Sequence, residues 1–166
     1  ALSVRLPHMR GEAFAAPVAS RLSSSFMLAT AAGAFAWFIM AASMLHGPLT
    51  LAVCSAAPAF IGGAMGWHLL AMYGPAALAA RWPDLLAPRP GALIGLSILL
   101  LGALAIYAGA SVMSVTLGML GVGVGWSLVN IAALRLLHDG AQPSRFALAL
   151  HDVFLLVAAA AGALIF

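Results

Sequence analysis

Long stretches without charged side chains are the dominant feature of this sequence. Residues 24–45 contain no Asp, Glu, Lys or Arg, and the runs 59–80, 91–110, 113–137 and 146–166 contain at most one each. Each run is long enough to cross a hydrocarbon core of about 30 Å as an α-helix. Overall, 64% of the residues are hydrophobic and 7% are charged, whereas soluble domains carry about 25% charged residues. The sequence therefore predicts an all-α integral membrane protein with about five transmembrane helices.

The basic residues are distributed asymmetrically about these predicted helices. There is no Lys, and the arginines lie before helix one, between helices two and three, and around the turn from helix four to helix five. They are Arg5, Arg10, Arg21, Arg81, Arg89, Arg135 and Arg145. If the helices alternate in direction, all these arginines lie on one side, which the positive-inside rule makes cytoplasmic. The net charge of +3 therefore reflects membrane orientation and not nucleic-acid binding, which needs a basic face on a more polar chain.

Shorter segments lie between and before the predicted helices. Residues 1–22 are polar and interrupted by prolines, which indicates a cytoplasmic linker, and residues 23–166 form the helical bundle. The tripeptide His46-Gly47-Pro48 is predicted to end helix one, so that residues 49–58 form an outer loop or a re-entrant segment. Because both ends of the sequence look cut, we expect it to be part of a longer protein.

Two pairs of soft-metal ligands occur at helical spacing within the apolar runs. Met40 and Met44 are spaced i, i+4 in helix one, and His68 and Met72 have the same spacing in helix two, with Met65 on the same face. Thioethers and imidazole favour Cu(I). At 1.5 Å per residue from the outer end of helix two, these three residues lie at depths of about 9, 14 and 20 Å. Side-by-side packing of helices one and two would form a ladder of ligands. The alternative is that the methionines are flexible core packers and His68 is hydrogen-bonded to a neighbouring helix.

The remaining candidate residues each have two interpretations. Cys54 is either a small buried hydrophobe or, like Met65, an accessory Cu(I) ligand. Asp152 in helix five is either a proton-coupling carboxylate or a structural acid paired with an arginine of the inner loops, and His151 is a second possible coupling residue. These two neighbours point in different directions on the helix, so they are not a catalytic pair. Since the sequence contains no nucleophile–base, C-x-x-C or phosphate-loop pattern, no enzymatic activity is predicted. The spacing Gly121-x-x-x-Gly125 predicts close helix packing.

The sequence resembles the C-terminal half of a major facilitator superfamily transporter, and within that superfamily the CcoA-like bacterial copper importers. The two Met/His pairs match that family's copper motifs in its seventh and eighth helices. GWHLLAMYGPA (66–76) resembles the eighth helix and GVGWSLVNIAALRLL (123–137) the tenth. PSR (143–145) and LHDVF (150–154) resemble the following inner loop and the eleventh helix. The resemblance covers roughly residues 24–166.

This resemblance implies a fold of twelve helices in two halves, in which the five helices here correspond to helices seven to eleven. It implies copper uptake across the bacterial inner membrane, supplying copper for cytochrome oxidase assembly. The implied ligands of the transported ion, Cu(I), are Met40, Met44, His68 and Met72. The implied partners are the lipid bilayer and the remaining N-terminal half and last helix of the same transporter. Two alternatives remain, a transporter of the same fold for a small organic solute and a non-transporting membrane scaffold subunit.

Overall fold

The structure, a computed structural model, describes residues 23–82, 87–139 and 143–165. These residues form five α-helices: α1 (Ser24–Val53), α2 (Pro58–Arg81), α3 (Pro88–Ala108), α4 (Val112–Leu137) and α5 (Arg145–Leu164). All but α2 are long and apolar enough, by length and composition, to cross a membrane. The prediction of an all-α membrane protein is therefore confirmed. The predicted linker, residues 1–22, lies outside the described residues.

Helix α4 lies at the centre of the bundle and packs against α1, α2 and α3, while α5 packs against α1. Trp37, in the first half of α1, contacts Trp126 of α4 with ring centroids 5.2 Å apart. Gly47, farther along α1, contacts Met119, which precedes Trp126, so α1 and α4 are antiparallel. By the same reasoning, α2 is parallel to α4, α3 is antiparallel to α4, and α5 is parallel to α1. Consecutive helices therefore alternate in direction, as predicted.

This alternation gathers the arginines of the described helices at one end of the bundle. Arg81 ends α2 and Arg145 begins α5, while Arg89 lies in the first turn of α3 and Arg135 in the last turn of α4. We call this end the arginine end. The opposite end, where α1 ends and α2 begins, is the arginine-free end, a name that refers to the described residues.

Helices α3 and α4 approach each other closely along a seam of glycines. A methyl group added at Gly102 would lie 2.6 Å from the carbonyl oxygen of Gly118, and one added at Gly125 would lie 2.6 Å from that of Gly95. Real Cβ atoms essentially never approach this closely, so only glycine permits this separation of the two backbones. The close packing predicted at Gly125 is therefore confirmed. Gly121 lies at the same seam with a looser fit, since its added methyl group would lie 3.4 Å from the nearest atom.

The predicted end of helix one is wrong. Helix α1 continues through Pro48 to Val53, so the first half of the predicted outer loop is helical. Pro48 has no backbone N–H to donate, and two residues later the Thr50 hydroxyl donates to the carbonyl oxygen of His46 at 2.9 Å. The chain leaves the helix only at Ser55, whose φ of 62° lies in the left-handed region. The glycine–proline pair is thus accommodated within a membrane helix, as neighbouring groups often allow.

Candidate metal site

Five methionines from three helices pack within or against one hydrophobic core, and we call them the methionine cluster. Met40 and Met44 come from α1, Met65 and Met72 from α2, and Met119 from α4. Met40 and Met119 are 4% and 1% exposed, and the other three are partly buried. The four methionines singled out in the sequence, including the accessory Met65, therefore belong to the same core.

Helices α1 and α2 meet mainly through α4, and the direct side-by-side packing on which the predicted ladder depended is not what the structure shows. Helix α2 lies against α4 and touches α1 only lightly. The side chain of Met119 lies beside α1, because a methyl group added at Gly47 would be 3.1 Å from its sulfur atom. Gly47 follows Met44 by three residues and Met40 by seven, so all three share one face of α1. The face of α1 that carries Met40 and Met44 is thus linked to α2 by way of α4.

His68 is buried in this core with 1% of its surface exposed. Its Nδ1 atom lies 2.6 Å from the carbonyl oxygen of Met119. Because a carbonyl oxygen only accepts hydrogen bonds, Nδ1 carries the proton and donates it, and in the neutral ring Nε2 presents a lone pair. That Nε2 atom is buried and has no hydrogen-bond partner. A backbone carbonyl that fixes Nδ1–H while Nε2 stays available is the arrangement used by metal-binding histidines.

The packing interpretation of His68 is therefore correct for one of its nitrogens. The hydrogen bond to a neighbouring helix that this interpretation predicts is present at Nδ1. This interpretation does not account for Nε2, which has no partner. An unpartnered buried polar group costs about 1–3 kcal/mol.

Gly123 of α4 sets how closely α2 approaches the centre of the bundle. A methyl group added at Gly123 would lie 2.9 Å from the carbonyl oxygen of His68, 3.1 Å from Cβ of Ala71 and 3.2 Å from the amide nitrogen of Met72. The backbone of α2 therefore lies directly on α4 at the level of the two predicted ligands. This contact holds His68 close enough to donate its hydrogen bond to α4.

Two other buried polar atoms without partners lie on the helices that form this core. Ser43 is 2% exposed, and its hydroxyl oxygen, on α1 between Met40 and Met44, has no hydrogen-bond partner. The indole nitrogen of Trp126 on α4 has none either. Together with Nε2 of His68, these are the buried side-chain polar atoms without partners in the described part of the chain. All three belong to helices that contribute to the methionine cluster.

The donors available at this site are soft. Among residues 23–82, 87–139 and 143–165, no three His, Cys, Asp or Glu side chains gather in a way that could hold a metal ion. The soft side chains of this core are its five thioethers and the imidazole of His68. This donor set suits Cu(I), whereas Mg²⁺ and Ca²⁺ need oxygen ligands.

Cys54 lies at the arginine-free end, where it follows Val53 as the C-cap residue of α1. It is half-buried, and its thiol contacts the carbonyl oxygen of Gly109, which ends α3, at 3.7 Å. The side chain thus links the ends of α1 and α3. Its accessory role in binding copper stays a prediction.

His151 and Asp152 belong to a second polar region, nearer the arginine end. The buried His151 ring shares a hydrogen bond with the Thr30 hydroxyl, with Nδ1 and Oγ1 2.9 Å apart. Asp152 is exposed and lines a cavity of about 240 Å³ with Trp37 and Asn130, whose side chains are themselves hydrogen-bonded at 3.1 Å. His151 therefore ties α5 to α1, while Asp152 faces open space. A coupling role for either residue stays a prediction.

Met119 is the residue of this core that the sequence analysis missed. It has no Met, His or Cys three or four residues away on either side, so no spacing pattern marks it. Its position depends on α4 lying between α1 and α2, which is a tertiary feature.

Comparisons with known proteins give no match: no family model, curated protein or solved structure corresponds to this chain. The resemblance to copper importers is therefore carried only by the motifs quoted above.

Proposed function

We propose that this protein transports copper across a membrane, with Met40, Met44, His68 and Met72 as ligands of the transported ion. The observation that supports this proposal is the Nε2 atom of His68, which is buried without a partner in a core that holds five thioethers. A buried acceptor nitrogen without a partner costs about 1–3 kcal/mol. A bound Cu(I) ion offsets that cost, since thioether and imidazole donors suit this ion.

The depths of the donors favour a path for the ion and not a single closed site. Counted along each helix from the arginine-free end at 1.5 Å per residue, the donors fall into three levels. The levels are about 10 Å for Met65 and Met119, about 14 Å for Met44 and His68, and about 20 Å for Met40 and Met72. The first level combines donors of α2 and α4, and the other two combine donors of α1 and α2, two helices that contact each other only lightly. Two labile contacts at each level let an ion move on, whereas a closed tetrahedral site would retain it.

The orientation of the path follows from the arginines. On this proposal the protein lies in the bacterial inner membrane with its arginine end on the cytoplasmic side, as the positive-inside rule requires. The ion then enters at the arginine-free end and moves toward the cytoplasm. The supply of copper to cytochrome oxidase assembly is proposed from the resemblance to CcoA-like importers.

The proposal also includes further helices of a major facilitator fold, namely an N-terminal half and a last helix. The outer face of α2 supports this, because Gly62, Gly66 and Gly74 have open space where a side chain would be. Small residues on a membrane helix permit close approach of another helix. Lipid covers this face if no such helix is present.

Copper accumulation in cells tests the proposed function. The variants Met40→Leu, His68→Leu and Met72→Leu remove donor atoms while largely keeping side-chain bulk, so we expect each to lower accumulation. Met113→Leu is the matched control, because Met113 is 67% exposed on α4. Wild-type accumulation in all three site variants would contradict the proposal. Copper-independent uptake of an organic solute would favour the solute transporter, and a stoichiometric partner on purification would favour the scaffold subunit.

A further inference from the structure

Met119 contacts His68 and also contacts α1, on the helix face that carries Met40 and Met44. Its carbonyl oxygen accepts the hydrogen bond from Nδ1 of His68 at 2.6 Å. Its side chain lies against Gly47, on the face of α1 that also carries Met40 and Met44. Met119 of α4 is thus in contact with the α2 imidazole and with the methionine-bearing face of α1.

The thioether of Met119, and not only its stem, lies against α1. A methyl group added at Gly47 would lie 3.1 Å from both Cγ and Sδ of Met119 and 3.5 Å from its Cε. The first two distances are tighter than most real Cβ contacts, so the glycine leaves room for the sulfur. With 1% of its surface exposed, Met119 keeps its sulfur within the protein and away from lipid.

We propose that Met119 supplies a further thioether ligand for the transported Cu(I), so that three helices and not two build the path. This inference rests on the proposed function. The two parts of the residue have separate roles. Its carbonyl oxygen positions His68 with Nε2 available, and its sulfur, about 10 Å from the arginine-free end, binds the ion one level before His68.

The Met119→Leu variant separates these two roles. It removes the sulfur but keeps the backbone carbonyl and most of the volume, so the hydrogen bond to His68 is retained and the core tolerates the change. We expect the Cu(I) affinity of the purified protein in lipid nanodiscs, measured by competition with a chromophoric chelator, to fall about 10- to 100-fold. X-ray absorption should show fewer Cu–S contacts. Met113→Leu, on the same helix but exposed to lipid, should leave both measurements unchanged.

A second measurement needs no substitution at the site. The wild-type protein carrying ¹³C-methyl methionine is titrated with Ag(I), a redox-stable substitute for Cu(I), and its methyl resonances are followed by NMR. The Met119 resonance, assigned through its contact with Gly47, should shift on binding, while that of Met113 should not. If Met119→Leu does not fold, this measurement alone tests whether the Met119 sulfur binds the ion.

The outcomes distinguish this inference from the proposed function. If wild-type protein binds Cu(I), but Met119→Leu binds it equally well and the Met119 resonance does not move, the inference is overturned and the proposed function stands. If wild-type protein binds neither Cu(I) nor Ag(I), both are overturned.

Discussion

The contact between Gly123 and α2 yields a prediction with an internal control on the same helix. A methyl group at Gly123 would lie 2.9 Å from the carbonyl oxygen of His68, whereas one at Gly121 would meet its nearest atom at an ordinary 3.4 Å. Both Gly→Ala substitutions gain about 1 kcal/mol of helix propensity, which cancels in their comparison. Gly123→Ala must also push α2 away by about 0.5 Å, and such overpacking costs about 1–3 kcal/mol. We therefore expect Gly123→Ala to be less stable than Gly121→Ala by about 1–3 kcal/mol.

The assay is reversible unfolding in mixed micelles with a denaturing detergent, followed by helical circular dichroism. Wild type, Gly121→Ala and Gly123→Ala are compared under one set of conditions, and Cu(I) affinity is measured on the same preparations. Moving α2 lengthens the 2.6 Å bond between His68 and Met119, so Gly123→Ala should also bind Cu(I) more weakly than Gly121→Ala. Equal stability of the two variants, within about 0.5 kcal/mol, would refute the direct backbone contact between α2 and α4.

Three other measurements address single side chains. Thr30→Val leaves the buried ring nitrogen of His151 without its partner and should destabilise the protein by about 1–3 kcal/mol in the same unfolding assay, while Thr30→Ser keeps the bond and should not. Trp37→Phe loses an indole hydrogen bond to α4 and should lower the free energy of unfolding by about 0.5–1.5 kcal/mol. Trp67→Phe, at a residue 65% exposed, should lower it little. Equal losses of stability in the two variants would contradict the hydrogen bond of Trp37. Because thioethers bind no protons and a metal-bound imidazole must be unprotonated, Cu(I) affinity should fall by up to about tenfold per unit of decreasing pH where His68 titrates. A His68→Leu variant should lack this dependence and bind Cu(I) more weakly than wild type, and equal affinity of the two proteins at every pH would exclude His68 as a ligand.

The helices of this protein were predictable because each one corresponds to a run of apolar residues with local end signals. The run 59–80 became Pro58–Arg81, and the run 113–137 became Val112–Leu137. The one large error, at the end of α1, arose from a local rule that a tertiary environment can override. Gly47 and Pro48 predict a helix end in water, but within a membrane leaving the helix early would expose backbone groups to lipid.

The candidate site was only partly predictable, since spacing reports which residues share a face but not which helix lies opposite. The pairs Met40–Met44 and His68–Met72 were found because i, i+4 neighbours share a face on any helix. Their common neighbour Met119 was not found, because its role depends on α2 resting on Gly123 of α4. That contact is possible because glycine has no side chain.

The two buried histidines differ in whether each buried ring nitrogen has a hydrogen-bond partner. Both rings lie on bundle helices, at 1% and 5% exposure, and both form a hydrogen bond through Nδ1 to another helix. Among the described residues, only His68 keeps a ring nitrogen that is buried without a partner. The bond between His151 and Thr30 is what a structural histidine needs to join two helices. For His68, a leucine or phenylalanine would fill the core without the cost of an unsatisfied nitrogen, so packing alone does not explain an imidazole there. On the proposed function, Nε2 binds a soft ion, and this contact satisfies the nitrogen.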